Sequence, residues 1–127
     1  MRTSARRPAK SYRDLVVWQK ARRTVSLLYG ITAKFPSEEK FNLTGQIRRS
    51  VVSIPSNVAE GFGRRTQADF LRFLFIARGS LFEVETELTL ALDQGFLSEE
   101  DYQRAAASID EVERLLEALI DKVEARA

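Results

Sequence analysis

The residues of this chain that are best suited to chemistry form a polar stripe along one predicted helix. They recur at steps of four, four, three and four, which places side chains on one helical face; they are Arg49, Ser53, Asn57, Glu60 and Arg64. An apolar stripe runs along the same stretch, again at steps of three and four: Leu43, Ile47, Val51, Ile54, Val58 and Phe62. This helix therefore presents one face to a core and a separate face of small polar and charged groups.

Two interpretations of the polar stripe stay open from spacing alone. A solvated face is usually filled with good helix formers such as Glu, Lys and Gln. Ser53 and Asn57 are poor helix formers, because their side chains compete for backbone hydrogen bonds. The second interpretation is a packed polar seam, in which Arg49 and Glu60 bond to a neighbouring helix or subunit. A buried pair of that kind fixes register and partner more than it adds stability.

The residue types argue against catalysis and metal binding. Helical bundles often hold two iron ions between Glu and Glu-x-x-His ligands, and Glu60, Glu83 and Glu87 are the candidates here. The chain has no histidine and no cysteine, so salt bridging is the favoured role for these acids. Ser53 has no candidate base beyond carboxylates. We predict a non-enzymatic protein without a catalytic, cofactor or metal site.

Basic residues are concentrated in the N-terminal third. Residues 1–34 hold nine Lys or Arg and one acid, whereas residues 95–127 hold four and nine, in a chain of net charge +2. Tyr12 and Trp18 lie among the basic groups and can stack on bases. We expect phosphate contacts from Arg2, Arg6, Arg7, Lys10, Arg13, Lys20, Arg22 and Arg23. The alternative is that these charges give solubility and pair with the acidic fourth helix.

The chain of 127 residues is long enough for one domain. Residues 1–11 are polar and aperiodic, which predicts a disordered basic arm, and residues 12–127 form the domain. No apolar run reaches the length of about 18 residues that a membrane helix needs, so no membrane contact is expected. The N-terminus lacks the apolar region of a secretory signal, which favours the cytoplasm.

Four helices are predicted along the domain. The first begins near Tyr12 to Asp14, and Pro36 ends it. Ser37 is a candidate N-cap for the second helix, with Asn42 as an alternative start. The second helix runs to about Glu60 and is kinked near Pro55.

Thr66 and Ser98 each precede an acid by three residues, as in a capping box, so they predict the starts of the third and fourth helices. All four helices carry apolar seams at steps of three and four. The seam of the first helix is Trp18, Ala21, Val25, Leu28, Thr32 and Phe35; that of the third is Phe70, Leu74, Ala77, Leu81, Val84, Leu88 and Ala91; that of the fourth is Tyr102, Ala105, Ile109, Val112, Leu116, Leu119 and Val123. Short links and matching seams predict an all-α, antiparallel, up-down-up-down four-helix bundle.

The third helix carries more apolar residues than one seam needs. We expect part of them to meet a second neighbour inside the bundle and the remainder to contact another subunit; they are Phe73, Phe75, Ile76, Phe82, Leu90 and Leu92.

The sequence resembles a known family over about residues 12–120. The run SVVSIPSNVAEGFGRRTQADFLRFLFIARGSLFEVETEL and the opening YRDLVVWQKA are similar to bacterial four-helix-bundle proteins encoded in intervening sequences of 23S ribosomal RNA genes. The matching motif positions are Ser53, Pro55, Asn57, Ala59, Glu60, Gly61, Arg64, Phe70, Phe73, Ala77, Gly79, Ser80, Glu83 and Glu85. Because four of them belong to the polar stripe, the resemblance favours a packed polar seam, to which it adds Glu83.

The resemblance implies a homopentamer with RNA or a ribonucleoprotein as partner. Relatives include accessory proteins of diversity-generating retroelements, which are basic pentamers that bind a reverse transcriptase and its RNA. This chain differs from them in charge, so a reverse-transcriptase partner is an alternative. A further alternative is a protein-interaction scaffold with no nucleic-acid role.

Overall fold

Four α-helices make up most of residues 9–126, the part of the chain that the computed structural model describes. Short 3₁₀ turns, Tyr12–Asp14 and Ser37–Glu39, precede the first and second helices. Successive helices run antiparallel, and each packs against its neighbours in the order α1, α2, α3, α4 and back to α1. The predicted four-helix bundle is confirmed; its helices are α1 Val16–Thr32, α2 Leu43–Phe62, α3 Gln67–Asp93 and α4 Glu99–Glu124.

The starts of α3 and α4 agree with the sequence prediction. The hydroxyl of Thr66 accepts a hydrogen bond from the backbone N–H of Asp69 at 3.1 Å. The hydroxyl of Ser98 accepts one from the backbone N–H of Asp101 at 3.0 Å. These bonds satisfy donors that the first turn of a helix leaves free. Gly95 follows α3 with a φ of 77°, a left-handed conformation that suits glycine.

The first helix is shorter than predicted at both ends. Leu15 adopts an extended conformation and separates the 3₁₀ turn from α1. At the other end α1 stops at Thr32, four residues before Pro36. The chain turns there and buries Phe35, whose ring lies 5.9 Å from that of Phe96. The burial of one aromatic ring thus ends the helix before the proline does.

The second helix begins at the alternative start. Asn42 occupies the N-cap position of α2, whereas Ser37 opens the separate 3₁₀ turn, so the prediction of Ser37 as the cap was wrong. Glu38 and Glu39 lie in that turn rather than in the first turn of α2, and a carboxylate oxygen of Glu39 accepts the backbone N–H of Leu43 at 3.3 Å. The helix continues through Pro55 to Phe62 without interruption, and the bend expected at the proline stays a prediction.

The core side of α1 differs in part from the predicted seam. Val17, Thr24 and Ile31 are buried, whereas Trp18 and Val25 lie at the edge of the core. The predicted Ala21, Leu28 and Thr32 are buried as well, so two stripes that share residues fit the spacing of this helix. The predicted seams of α3 and α4 are largely buried, with Ile120 replacing Leu119 in α4.

Polar contacts hold α1 in register with its two neighbours. Arg48 of α2 donates to the hydroxyl of Thr32 at 3.0 Å and to the carbonyl oxygen of Tyr29 at 3.3 Å. Both acceptors lie in the last turn of α1, and the Tyr29 carbonyl also accepts the backbone N–H of Ala33. On the other side of α1, the hydroxyls of Thr24 and Ser108 are 2.7 Å apart and buried.

The helices α2 and α3 approach each other closely at Gly61. A Cβ atom at this position would lie 2.7 Å from the Cβ of Phe73 and 3.0 Å from Cδ1 of Phe70. Real Cβ atoms do not tolerate the shorter distance, so glycine is required for sterics rather than for an unusual φ. The contact seats the end of α2 against the first turns of α3.

We expect Gly61→Ala to destabilise the protein by about 1–3 kcal/mol, because the added methyl group overpacks a contact with no free space. Gly30→Ala is the control, since no atom lies within 4 Å of a Cβ built there. The control should be neutral or stabilising by up to about 1 kcal/mol, as expected for glycine replaced by alanine in a helix. Urea unfolding of both variants measures the difference. Equal stability of the two would contradict the steric role of Gly61.

Candidate functional site

A hydrogen-bonded polar group joins α2 to α3 near the middle of both helices. The hydroxyls of Ser53 and Ser80 are 2.8 Å apart. The side-chain amide of Asn57 donates to the Ser53 hydroxyl at 2.9 Å and to its carbonyl oxygen at 2.8 Å. Of the predicted polar stripe, Ser53 therefore bonds across to α3, and Asn57 bonds back to Ser53 within α2.

A carboxylate lies in the same helix contact, one turn further along. The hydroxyl of Ser50 donates to Oε2 of Glu87 at 3.3 Å, and Glu87 is only 8% exposed. Its other oxygen, Oε1, is buried without a hydrogen-bond partner. Burial raises the pKa of Glu87, and the charge of Glu83 adds to this, whereas the Ser50 hydroxyl and Arg49 oppose it. The contact between α2 and α3 therefore contains a buried carboxylate, Glu87, whose negative charge is only partly compensated by its neighbours.

The remaining predicted seam residues lie at the surface. Arg49 and Glu83 are exposed. Glu60 is also exposed and forms an ion pair at 2.9 Å with Arg64, one turn away on the same helix. Within the described chain, the bonds of Glu60 run along α2 rather than across to another helix. The polar stripe is thus divided between packed residues and solvent-facing charges.

Three residues of the α2–α3 contact were not predicted in these roles: Ser50, Ser80 and Glu87. Their signal was present in the sequence, because positions 50, 53 and 57 and positions 80, 83 and 87 repeat the same steps of three and four. Two antiparallel helices that pack along such stripes bring the polar groups together. Predicting these contacts from the sequence required knowing which faces of α2 and α3 pack against each other.

The arrangement of the acids does not provide a metal centre. Of the three candidate carboxylates only Glu87 is buried, whereas Glu60 and Glu83 face outward. Within residues 9–126, no three side chains of His, Cys, Asp or Glu come together as a group able to hold a metal ion. None of the helices in that range combines the length and apolar character needed to cross a bilayer.

Aromatic rings and guanidinium groups form a cluster between the first 3₁₀ turn and the first turns of α1. The rings of Tyr12 and Trp18 pack edge to face, with their centroids 5.0 Å apart. The guanidinium carbon of Arg13 lies 5.3 Å from the Trp18 centroid and 5.5 Å from that of Tyr12. Arg22 lies 5.8 Å from the Trp18 ring. Such contacts hold flexible cations at fixed places on the surface; we call this group the Trp18 cluster.

The structure divides the predicted phosphate-binding residues into three groups. Arg13, Arg22 and Arg23 are exposed and have no ion-pair partner among the residues that the structure describes. Lys20 pairs with Glu111 of α4 at 3.1 Å, so its charge is already compensated inside the bundle. Lys10 is exposed, and the predicted contacts Arg2, Arg6 and Arg7 lie outside the described residues.

Comparisons with known proteins agree with the fold. A family model described as 23S rRNA-intervening sequence protein matches residues 13–118. A solved structure from Bacteroides thetaiotaomicron, described as a protein of unknown function from the S23 ribosomal protein family, is 27% identical. The match covers 83% of this chain and 98% of that one, with a TM-score of 0.74. No curated protein matches the sequence. Neither description names a catalytic activity.

The buried carboxylate predicts a specific dependence of stability on pH. Because the pKa of Glu87 is raised in the folded state, its charged form lowers the stability of the fold. This loss of stability appears as the pH rises above the ordinary pKa of a glutamate and is absent at lower pH. We expect Glu87→Gln to raise the melting temperature at about pH 8 and to have a smaller effect at about pH 4.5.

Ser50→Ala is the matched variant, because it removes the hydroxyl that stabilises the charged carboxylate. It should lower stability by about 1 kcal/mol at high pH and by less at low pH. Thermal unfolding of both variants at the two pH values tests the sign. Parallel curves for wild type and Glu87→Gln would show that Glu87 does not titrate in this contact.

Proposed function

The chain belongs to the 23S rRNA-intervening sequence protein family, and from that premise we propose that it is a non-enzymatic, self-associating module that binds RNA. The Trp18 cluster supports the RNA role most directly. It joins exposed cations to aromatic rings beside a basic N-terminal segment. Guanidinium groups contact phosphate oxygens, and guanidinium planes and aromatic rings stack on unpaired bases.

The charges of this surface favour contacts with the RNA backbone. Arg22 and Arg23 follow each other on the exposed side of α1 and contribute two charges without ion pairs among the described residues. Contacts of this type position a protein on RNA but do not read sequence. The proposed activity is therefore backbone binding, with stacking as a secondary source of affinity.

Self-association is supported by an exposed apolar stripe on α3. Its positions recur at steps of four, three, four and four, which places them on one side of the helix; they are Phe75, Gly79, Phe82, Thr86 and Leu90. Phe82 is 45% exposed and Leu90 is 46% exposed. A second copy of the chain would remove these apolar side chains from water. The family resemblance makes a homopentamer the expected assembly; we call this surface the α3 stripe.

A protein-interaction scaffold is the second candidate function. The α3 stripe favours it as well, because an exposed apolar surface can receive a different protein. An accessory role beside a reverse transcriptase would combine this surface with RNA binding. The two candidate functions differ in whether they need the Trp18 cluster: RNA binding uses it, and a protein-interaction scaffold does not.

For RNA binding, we expect the double variant Arg22→Gln, Arg23→Gln to weaken affinity. The slope of log affinity against log salt should fall by about 1.4, since each phosphate contact on a single strand contributes about 0.7. Titration of a single-stranded RNA at several salt concentrations measures this slope. The control is the double variant Arg104→Gln, Arg114→Gln, which removes the same charge from the acidic helix α4.

The same titration separates the two candidate functions. Variants of α1 that retain the wild-type slope would contradict the role of these arginines. Absence of RNA binding by the intact assembly at low salt would remove the RNA function and leave the scaffold as the better candidate. Neutralising Arg6, Arg7, Lys10 and Arg13 tests the arm in the same way.

For self-association, we expect Phe82→Glu to reduce the mass of the assembly to that of the monomer, because a charge at the centre of a buried apolar contact is costly. Phe41→Glu is the control, since Phe41 is 83% exposed and lies outside the α3 stripe. Light scattering of both variants measures the mass. An unchanged assembly in Phe82→Glu would exclude the α3 stripe as the subunit interface.

A further inference from the structure

The start of α1 and the turn between α2 and α3 lie at the same end of the bundle. Arg48 contacts Thr32, so these two positions are level. From there α2 continues for 14 residues to Phe62, about 21 Å, and α1 runs back for 16 residues to Val16, about 24 Å. Because the helices are antiparallel, both segments finish at nearly the same height. We call this the arm end of the bundle.

A second group of cations and an aromatic ring occupies the arm end. The guanidinium carbons of Arg64 and Arg72 lie 4.6 and 4.5 Å from the centroid of the Phe73 ring. Arg64 also pairs with Glu60 at 2.9 Å, and Arg72 lies 3.6 Å from the carboxylate of Asp69. Each guanidinium group is thus held from two sides, in the manner that fixes Arg13 in the Trp18 cluster.

Arg65 adds a charge without local compensation. It is exposed in the turn between α2 and α3 and forms no ion pair with any described residue. The helix α4 also finishes at the arm end, because it runs antiparallel to α3. The arm end has seven basic residues against five acids: Lys10, Arg13, Arg64, Arg65, Arg72, Lys122 and Arg126 against Asp14, Glu60, Asp69, Asp121 and Glu124. The end of α4 contributes equal numbers of both signs, so the surplus of positive charge comes from the segment before α1 and from the α2–α3 turn with the start of α3.

We propose that the arm end binds an unpaired segment of RNA, whose backbone passes from Arg13 to Arg64 and Arg65. This inference rests on the proposed RNA-binding function and assigns it a second element, the α2–α3 turn. Neighbouring helices lie about 8–10 Å apart, so adjacent nucleotides of one strand can reach both groups. The guanidinium groups beside the Trp18 and Phe73 rings offer planar surfaces to bases, whereas the Phe73 ring itself is buried.

The stacks favour an unpaired segment over a duplex. Bases within a duplex are stacked on one another and their faces are closed to side chains, whereas unpaired bases can stack on guanidinium planes and aromatic rings. Phosphate contacts alone would serve either form. The stacking groups beside them make the single strand the better ligand.

The test uses the full chain and a short, unstructured RNA. Trp18 is the only tryptophan, so its fluorescence reports occupancy of the Trp18 cluster directly. We expect Arg65→Gln to weaken binding about fivefold at 0.1 M salt and to lower the salt slope by about 0.7, the contribution of one phosphate contact. The fluorescence change at saturation should remain, because the Trp18 cluster is intact.

Arg114→Gln is the matched control for a second variant, Arg64→Gln. Both arginines form ion pairs with an acid four residues earlier on their own helix, Glu60 and Asp110. Only Arg64 lies at the arm end, so only its variant should weaken binding. Arg65 makes no hydrogen bond to described residues, and an unchanged melting temperature of Arg65→Gln shows that the fold is retained.

Two outcomes overturn the inference and leave different conclusions about function. If Arg64→Gln and Arg65→Gln bind as wild type while variants of Arg22 and Arg23 lose affinity, the turn is not a binding element and the RNA function stands. If wild type binds no RNA at low salt, both fail. A duplex of equal length that binds as tightly as the single strand would overturn the preference for an unpaired segment.

Discussion

The close contact between α2 and α3 is the constraint on which the rest of the structure depends. Gly61 lets the end of α2 reach the side of Phe73, and the paired hydroxyls of Ser53 and Ser80 join the helices further along. Small side chains allow backbones to approach, and polar groups between them must then find partners. The short turn at residues 63–66 follows from this contact, because α3 begins where α2 ends. The contact between α2 and α3 therefore also determines where the arginines of that turn lie.

The distribution of charge gives the bundle two different surfaces. The arm end is basic, whereas the groove between α3 and α4 is lined with acids. Burial raises the pKa of Glu85 in that groove, and the neighbouring charge of Glu113 raises it further. A polyanion is repelled there and attracted to the arm end. The positive charges before α1 and in the α2–α3 turn therefore lie apart from the acids of that groove, in a chain whose net charge is +2.

The sequence was sufficient for the number of helices, the two capping residues Thr66 and Ser98, and most of the core of α2, α3 and α4. These features depend on local chemistry and on spacing within one segment. The core face of α1 was predictable only in part, because two stripes that share Ala21, Leu28 and Thr32 fit its spacing. The partners of Ser53 and Trp18 could not be predicted from the sequence. The hydrogen bond from Ser53 to Ser80 and the contacts of Arg13 and Arg22 with the Trp18 ring depend on which surfaces meet after folding.

The steric fit at Gly61 also fixes the distance between α2 and α3. The atoms that exclude a side chain at position 61 are the Cβ of Phe73 and, less closely, Cδ1 and the backbone oxygen of Phe70. Every residue except glycine has a Cβ, so exchange of the aromatic ring at position 73 alone makes no room. A residue other than glycine at 61 therefore requires α3 to move away from α2. Such a shift would also displace the Phe73 ring that lies against Arg64 and Arg72 and rearrange the α2–α3 turn.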